Sequence, residues 1–355
     1  MVKASLYNII GVEVDSSYPW IDSLFISKGI ASLDPKDYAN CKAFIKIKKS
    51  RSLYYDDCRS VGSGLYISSS ALIDKKFGVR IERESSNIIS IITTQQCNEW
   101  LSTCVQLFLL ELNYTFIHAA ALEKDGKVIL IPSWGGVGKT ATVITMIKKD
   151  GWRLLGDDLV ILKKDEVMPY LKPFVIYPYH KSLFPDIFES NKGRIITNLK
   201  VSNLISQAIP IAKRIMRPVP GLLALARKYN PQSLKISPMN IFNKEQLSSG
   251  GKLIKVVWLE RTTKKQINYY EQSAKKLTSK TVAVTLLELF AERMNNVFVL
   301  CGSGIFDYEK IYKKMYDLIF SAYKSCDCYE LDIPLSIPVN DIGNIVSQYV
   351  GRREI

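Results

Sequence analysis

Ile129–Thr140 reads ILIPSWGGVGKT and holds the residues whose types and spacing most clearly point to chemistry. An apolar run leads into Ser133, Trp134, Gly135, Gly136, Val137, Gly138, Lys139, Thr140 and Ala141, after which KTATVITMIKKD has helical spacing. Glycines let a backbone turn tightly enough for successive N–H groups to face an anion. The start of the following helix adds its positive end to the same place. A lysine then neutralises phosphate charge and a hydroxyl can ligate Mg²⁺. This strand–loop–helix is therefore expected to bind the phosphates of ATP, with Mg²⁺ on Thr140. One position departs from the pattern G-x-x-x-x-G-K-[ST]: Ser133 stands at the first glycine. A left-handed backbone there would strain a β-carbon, so Gly135 is expected to shift the flexible point along the loop.

Two further elements sit at informative distances. His118 lies 21 residues before Lys139, on the strand expected before the loop strand. Asp157 and Asp158 lie 18 and 19 residues after it, expected near the end of the first strand of a hairpin in WRLLGDDLVILKKDEVM. Such a unit brings all three to one end of a sheet. Mg²⁺ wants hard oxygen ligands, and a hydroxyl acceptor wants a base. Neighbouring strand residues point to opposite faces, so the two aspartates cannot serve equally.

The elements that must position these groups divide at about residue 95. Residues 1–95 read as short β-prone runs with Asp, Pro, Gly and Ser between them, which predicts a small, mostly antiparallel β-rich N-terminal domain. Asp56-Asp57 falls in one of its turns. A buried helix is expected over about Gln96–Asn113. Residues 96–355 then read as α/β: strands around the Asp125-Gly126 turn, a helix closed by Gly151, strands at Leu253–Arg261 and Val297–Ser303, two helices, and a closing strand in DCYELDIPL.

The run FIHAAALEKDGKVILIPSWGGVGKTATVITMIKKDGWRLLGDDLVIL resembles the HPr serine kinase family and its kinase-like relatives, which share a nucleotide fold with phosphoenolpyruvate carboxykinase. Members carry a histidine-bearing hairpin, a G-x-S-G-x-G-K-[ST] loop and a paired-aspartate strand preceded by Arg-Leu, here His118, Ser133–Thr140, Asp157-Asp158 and Arg153-Leu154. The likeness is looser over Val256–Arg261. It implies a P-loop kinase domain in which the aspartate pair serves acceptor proton and metal. Asp158 is the chosen base, Asp157 joins Thr140 at the metal, and His118 lines the acceptor or phosphate side. The L-E-I-R-G-x-G segment of the kinases that act on HPr has no counterpart in VIYPYHKSLFPD. The resemblance thus implies a divergent kinase for an alcohol hydroxyl, foremost a Ser/Thr of a peptide or protein. A small-molecule kinase, a phosphohydrolase on the same site and a non-catalytic nucleotide-gated module are the competing readings.

Composition narrows the partners. The 355 residues are 47% hydrophobic and 23% charged, and no apolar run is long enough to span a bilayer. The first residues alternate like a strand and lack the apolar core of a signal peptide, so a cytoplasmic protein is expected. Seven scattered cysteines are expected as reduced thiols; Cys326-Asp-Cys328 is too short for a zinc pair. The net charge of +14 is uneven. Residues 187–250 hold ten Lys/Arg against Glu189 and Glu245. Prolines cut this insert into short amphipathic pieces. It is read as a dock for an anionic acceptor, with peripheral membrane contact and inert packing as alternatives; nucleic acid is not the expected partner.

Overall fold

A computed structural model describes residues 2–6, 8–15, 31–32, 35–68, 70–95, 97–177, 180–190, 234–290 and 294–351. Most of the basic insert lies outside the described residues, and so does the docking role read from it. The chain is a mixed α/β protein, and its described residues form two mixed β-sheets, each of nine strands.

The first sheet uses β1 (Val2–Leu6), β2 (Ile10–Val14), β3 (Ala31–Ser32), β4 (Ala43–Lys49), β5 (Arg59–Gly62), β6 (Leu65–Ile67), β7 (Ala71–Asp74), β8 (Val79–Ser85) and β9 (Ile88–Thr93). Their order is β3-β1-β2-β4-β9-β8-β7-β6-β5, antiparallel except for β2/β4 and β4/β9. Period-two patterning sets the faces: in β4, Ala43, Ile45 and Ile47 are buried while Lys46 and Lys48 point away. Asp56-Asp57 forms a turn, with Asp57 at φ 54°.

The helix Asn98–Glu111 follows as expected. Leu101, Cys104, Leu107, Phe108 and Leu110 leave it apolar on nearly every side, so it must be covered from both directions. It touches β2, β10 (Thr115–Ile117) and the helices Met294–Gly302 and Tyr308–Tyr323. One continuous apolar core therefore runs from Ala4 in the first sheet to Tyr323.

The second sheet contains β10, β11 (Ala119–Lys124), β12 (Lys127–Pro132), β13 (Arg153–Gly156), β14 (Val160–Lys163), β15 (Glu166–Met168), β18 (Gly251–Thr262), β19 (Asn268–Glu271) and β20 (Asp327–Pro334). A separate pair joins β16 (Phe174–Ile176) to β17 (Leu234–Ile236), which lies within the basic insert. β11 and β12 form the expected hairpin, with Asp125 and Gly126 at φ 53° and 78° as a two-residue turn demands. β12 lies between β11 and the parallel β18. The far side of β18 is shared by β15 at Gly251–Lys252 and by parallel β20 from Lys255 onward.

Two expectations change. The strand expected at Val297–Ser303 is instead the end of the helix Met294–Gly302 with Ser303 in the turn after it; Val297 and Leu300 are buried at a three-residue spacing while Phe298 faces out. The hairpin after the loop helix is β14/β15, closed at Lys164 (φ 53°); β13 pairs with β11 instead. Among the described residues no helix is long and apolar enough to cross a membrane, and all seven cysteines are free thiols.

Candidate functional site

Register explains why distant sequence elements converge. Ala119, at the start of β11, pairs with Pro132, the residue before the loop. Two residues on, Ala121 pairs with Gly156, the residue before the aspartates. His118 occupies the break between β10 and β11 rather than a strand interior, where its backbone N–H donates to Thr285 Oγ1 at 3.1 Å. Asp157 and Asp158 likewise sit in a bend beyond the strand end. The chain doubles back there: a β-carbon on Gly156 would stand 2.3 Å from the Leu159 carbonyl oxygen. The Ala119 N–H then donates to the Asp158 carbonyl at 3.2 Å, closing His118 onto the aspartates.

The loop turns at Gly136 (φ 76°) and Gly138 (φ 105°), not at Gly135. Ser133 stays outside the left-handed region, so its β-carbon costs nothing and the departure from the glycine pattern is tolerated. Val137 and Ala141 are buried under the loop and helix, and Trp134 is 38% exposed with its edge on Trp258, 6.3 Å between centroids. The helix Lys139–Asp150 begins at Gly138 with no side-chain cap. Its first N–H groups therefore face the cleft without an internal partner. Gly151 (φ 71°) closes it.

The polar groups form two separate sets. In the first, Lys139 Nζ donates to the carbonyls of Ser133 and Trp134, each at 2.8 Å, and lies 3.1 Å from His118 Nε2. His118 Nδ1 lies 3.3 Å from Asp158 Oδ1, and Lys172 Nζ donates to Asp158 Oδ2. Burial, helped by the Lys139 charge, pushes the His118 imidazole down to about 4, against the pull of Asp158. Burial also lowers the Lys139 ammonium. Asp158 is raised by burial but held below the usual carboxylate range by Lys172 and then His118.

The second set is smaller. Thr140 Oγ1 donates to Asp157 Oδ2 at 2.9 Å, while Asp157 Oδ1 is buried with no hydrogen-bond partner. Burial pushes this carboxyl up to about 7, and the neighbouring Asp158 charge adds to the effect. No family model of known proteins matches the chain, and no curated protein is significantly similar to it.

His118, Gly135, Gly136, Gly138, Lys139, Thr140, Asp157 and Asp158 share the walls of one cleft of about 260 Å³. Lys172, Val175, Tyr177, His180, Glu288 and Val339 also line it. These six went unseen in the sequence. Val175 and Tyr177 are the outward positions in β16 and its extension, so period-two alternation held that signal once the strand was found. Lys172, Glu288 and Val339 carry no motif; only the folded chain brings them here. Among the described residues no three His, Cys, Asp or Glu side chains cluster as a metal cage. A Mg²⁺ bound chiefly by substrate phosphates and waters needs only one or two protein oxygens. Thr140 Oγ1 and the unpartnered Asp157 Oδ1 fit that demand.

Proposed function

We propose that the protein is an ATP- and Mg²⁺-dependent kinase that transfers a phosphoryl group to an alcohol hydroxyl, foremost a Ser/Thr of a peptide or protein. On this reading it is a divergent, P-loop-containing relative of the HPr serine kinases. The observation that carries it is the uncapped helix start beside Lys139, with a buried, unpartnered carboxylate oxygen on Asp157 one hydrogen bond from Thr140. Loop amides and Lys139 hold the phosphates. Thr140 and Asp157 would hold the metal, which supplies charge neutralisation at the transferred group. Asp158 and His118 face the same cleft and serve the proton of the acceptor.

The hydrolase and the non-catalytic module remain the alternatives against which this reading is tested. Lys139→Ala removes a charge-assisted contact and should weaken ATP binding by about 1.5–3 kcal/mol. Calorimetry giving equal affinity for the two proteins removes the nucleotide site. ADP formation that rises on adding a peptide mixture supports a kinase; formation indifferent to any acceptor supports a hydrolase, and none at all the module.

A further inference from the structure

The four polar side chains Lys172, Asp158, His118 and Lys139 form a single file across the cleft. The direction of each hydrogen bond in it can be deduced. An ammonium only donates, so the nitrogen facing Lys139, His118 Nε2, must be the acceptor. His118 is then neutral with its proton on Nδ1, which points at the Asp158 carboxylate 3.3 Å away. Lys172 on the other Asp158 oxygen keeps that carboxylate ionised, and Thr285 fixes the His118 backbone from behind. Orienting group, imidazole and lone pair thus stand in the order that makes a histidine a base. One thing blocks it: the lone pair is taken by Lys139.

The ammonium has three N–H bonds, and three partners already use them: Ser133 O, Trp134 O and His118 Nε2. A phosphate oxygen can be bound by Lys139 only if one of these is given up. The two carbonyls belong to the loop that wraps the phosphates and travel with it; the imidazole belongs to another strand junction. We propose that Lys139 covers His118 until nucleotide draws it away, and that the uncovered His118, oriented by Asp158, takes the acceptor proton.

This rests on the kinase reading and assigns its base to His118, with Asp158 as the positioning residue. In the step, the acceptor oxygen forms a bond to the γ-phosphorus as the bond from that phosphorus to the β–γ bridging oxygen breaks. The hydroxyl proton moves to His118 Nε2, and ADP leaves with the bridging electrons. The imidazolium, paired with Asp158, releases its proton to solvent afterwards. The arrangement makes the base available only when a donor is bound, which suppresses futile proton chemistry in the empty cleft.

The charged groups facing His118 are Lys139, Asp158 and Lys172, so its behaviour can be read against a small set. The chain has only two histidines, His118 and His180, so its imidazole ¹⁵N spectrum holds two ring systems. His118→Gln assigns them. In the wild type without nucleotide, His118 should show a protonated Nδ1 and an Nε2 that accepts a hydrogen bond. With Mg²⁺ and β,γ-imido-ATP, Nε2 should move to the position of an unbonded pyridine-type nitrogen while Nδ1 stays protonated. Lys139→Met should show that second pattern without nucleotide. Calorimetry on the same samples separates the failures. Nucleotide bound with Nε2 unmoved overturns the cover and leaves the kinase reading standing; no nucleotide bound overturns both. For the base, turnover of His118→Gly should recover at least tenfold with added imidazole, in proportion to its unprotonated fraction. No recovery, alongside an inactive Asp158→Asn, returns the role to Asp158.

Discussion

In the first sheet the buried polar side chains are closed off by partners of their own region. Asp74 accepts from the Phe77 backbone N–H at 3.1 Å and from Trp100 Nε1 at 3.2 Å. Arg80 donates to Glu82 at 2.5 Å and to the Tyr54 carbonyl at 2.8 Å, with its guanidinium 3.8 Å from the Tyr54 ring. In the second sheet the buried groups around the loop have partners that a ligand would displace, or none. Ser133 Oγ and Asp157 Oδ1 are buried without a hydrogen bond, and no such atom occurs among the described residues of the first sheet. Both sheets bury similar apolar strands; they differ in whether polar satisfaction is complete. A fold that leaves a buried oxygen unpaired forgoes stability there, and functional sites are where such a cost is expected.

That contrast predicts opposite responses to similar substitutions, and the largest is in the first sheet. Asp74→Ala leaves the buried Trp100 Nε1 and the part-buried Phe77 N–H unpaired; a fully buried donor costs roughly 1–3 kcal/mol and the Phe77 N–H less. The urea midpoint should fall by the equivalent of about 2–4 kcal/mol, with ATP affinity of the remaining folded protein unchanged. A loss of nucleotide binding without a loss of stability would show that the two sheets are not divided in this way.

Asp157→Asn should act in the other direction. The folded-state value is raised from 3.8 to about 7, so this group's contribution to stability is full below about pH 4 and is lost as pH rises toward 7. Above pH 7 without metal the wild type carries a buried carboxylate with one oxygen unpartnered. The neutral amide removes that cost, and the variant should be more stable at pH 8 by about 1–3 kcal/mol. The gain should vanish at pH 4, and Mg²⁺ with nucleotide should stabilise the wild type more than the variant. Thermal melts at the two pH values test all three statements. A variant less stable than wild type at pH 8 means that Asp157 is already compensated, and the metal assignment loses its support.

Much of this site could be read from spacing because it lies on local elements. Loop, helix and the Asp125-Gly126 hairpin each carry their own backbone signature, and the elements from β10 to the bend after β13 are contiguous in sequence. Residues that arrive from far away were invisible for the same reason: Glu288 comes on a helix and Val339 on a single 3₁₀ turn, neither bearing a pattern of its own. The aspartates illustrate a right expectation with a different cause. They do serve different partners, but in a bend enforced at Gly156, not through alternation along a strand. Val297–Ser303 misled because a seven-residue apolar run has no decisive period, and packing against the helix Asn98–Glu111 chose the helical one.

The smallest expected effect lies where the two sheets are tied together. Arg83 of β8 grips Glu111, at the end of the buried helix, with both nitrogens at 2.9 and 2.8 Å, and also donates to the Ile305 carbonyl at 2.7 Å. The Glu111 side chain is 34% exposed, so water competes for the pair. Such pairs contribute about 0.2–1 kcal/mol, less in salt. Glu111→Gln should therefore shift the urea midpoint by no more than that, and the difference should shrink as salt is added. Arg83→Ala should cost more, because the Ile305 carbonyl loses its donor and the Phe108 and Phe306 rings lose the guanidinium packed 5.6 and 5.3 Å from their centroids. What joins the sheets is the apolar core that runs through the helix between them, and the ion pair only trims it. If Glu111→Gln instead unfolded the first sheet alone, seen as two separate transitions, that core would not be the joint, and the contrast between the sheets would become one between independently folding units.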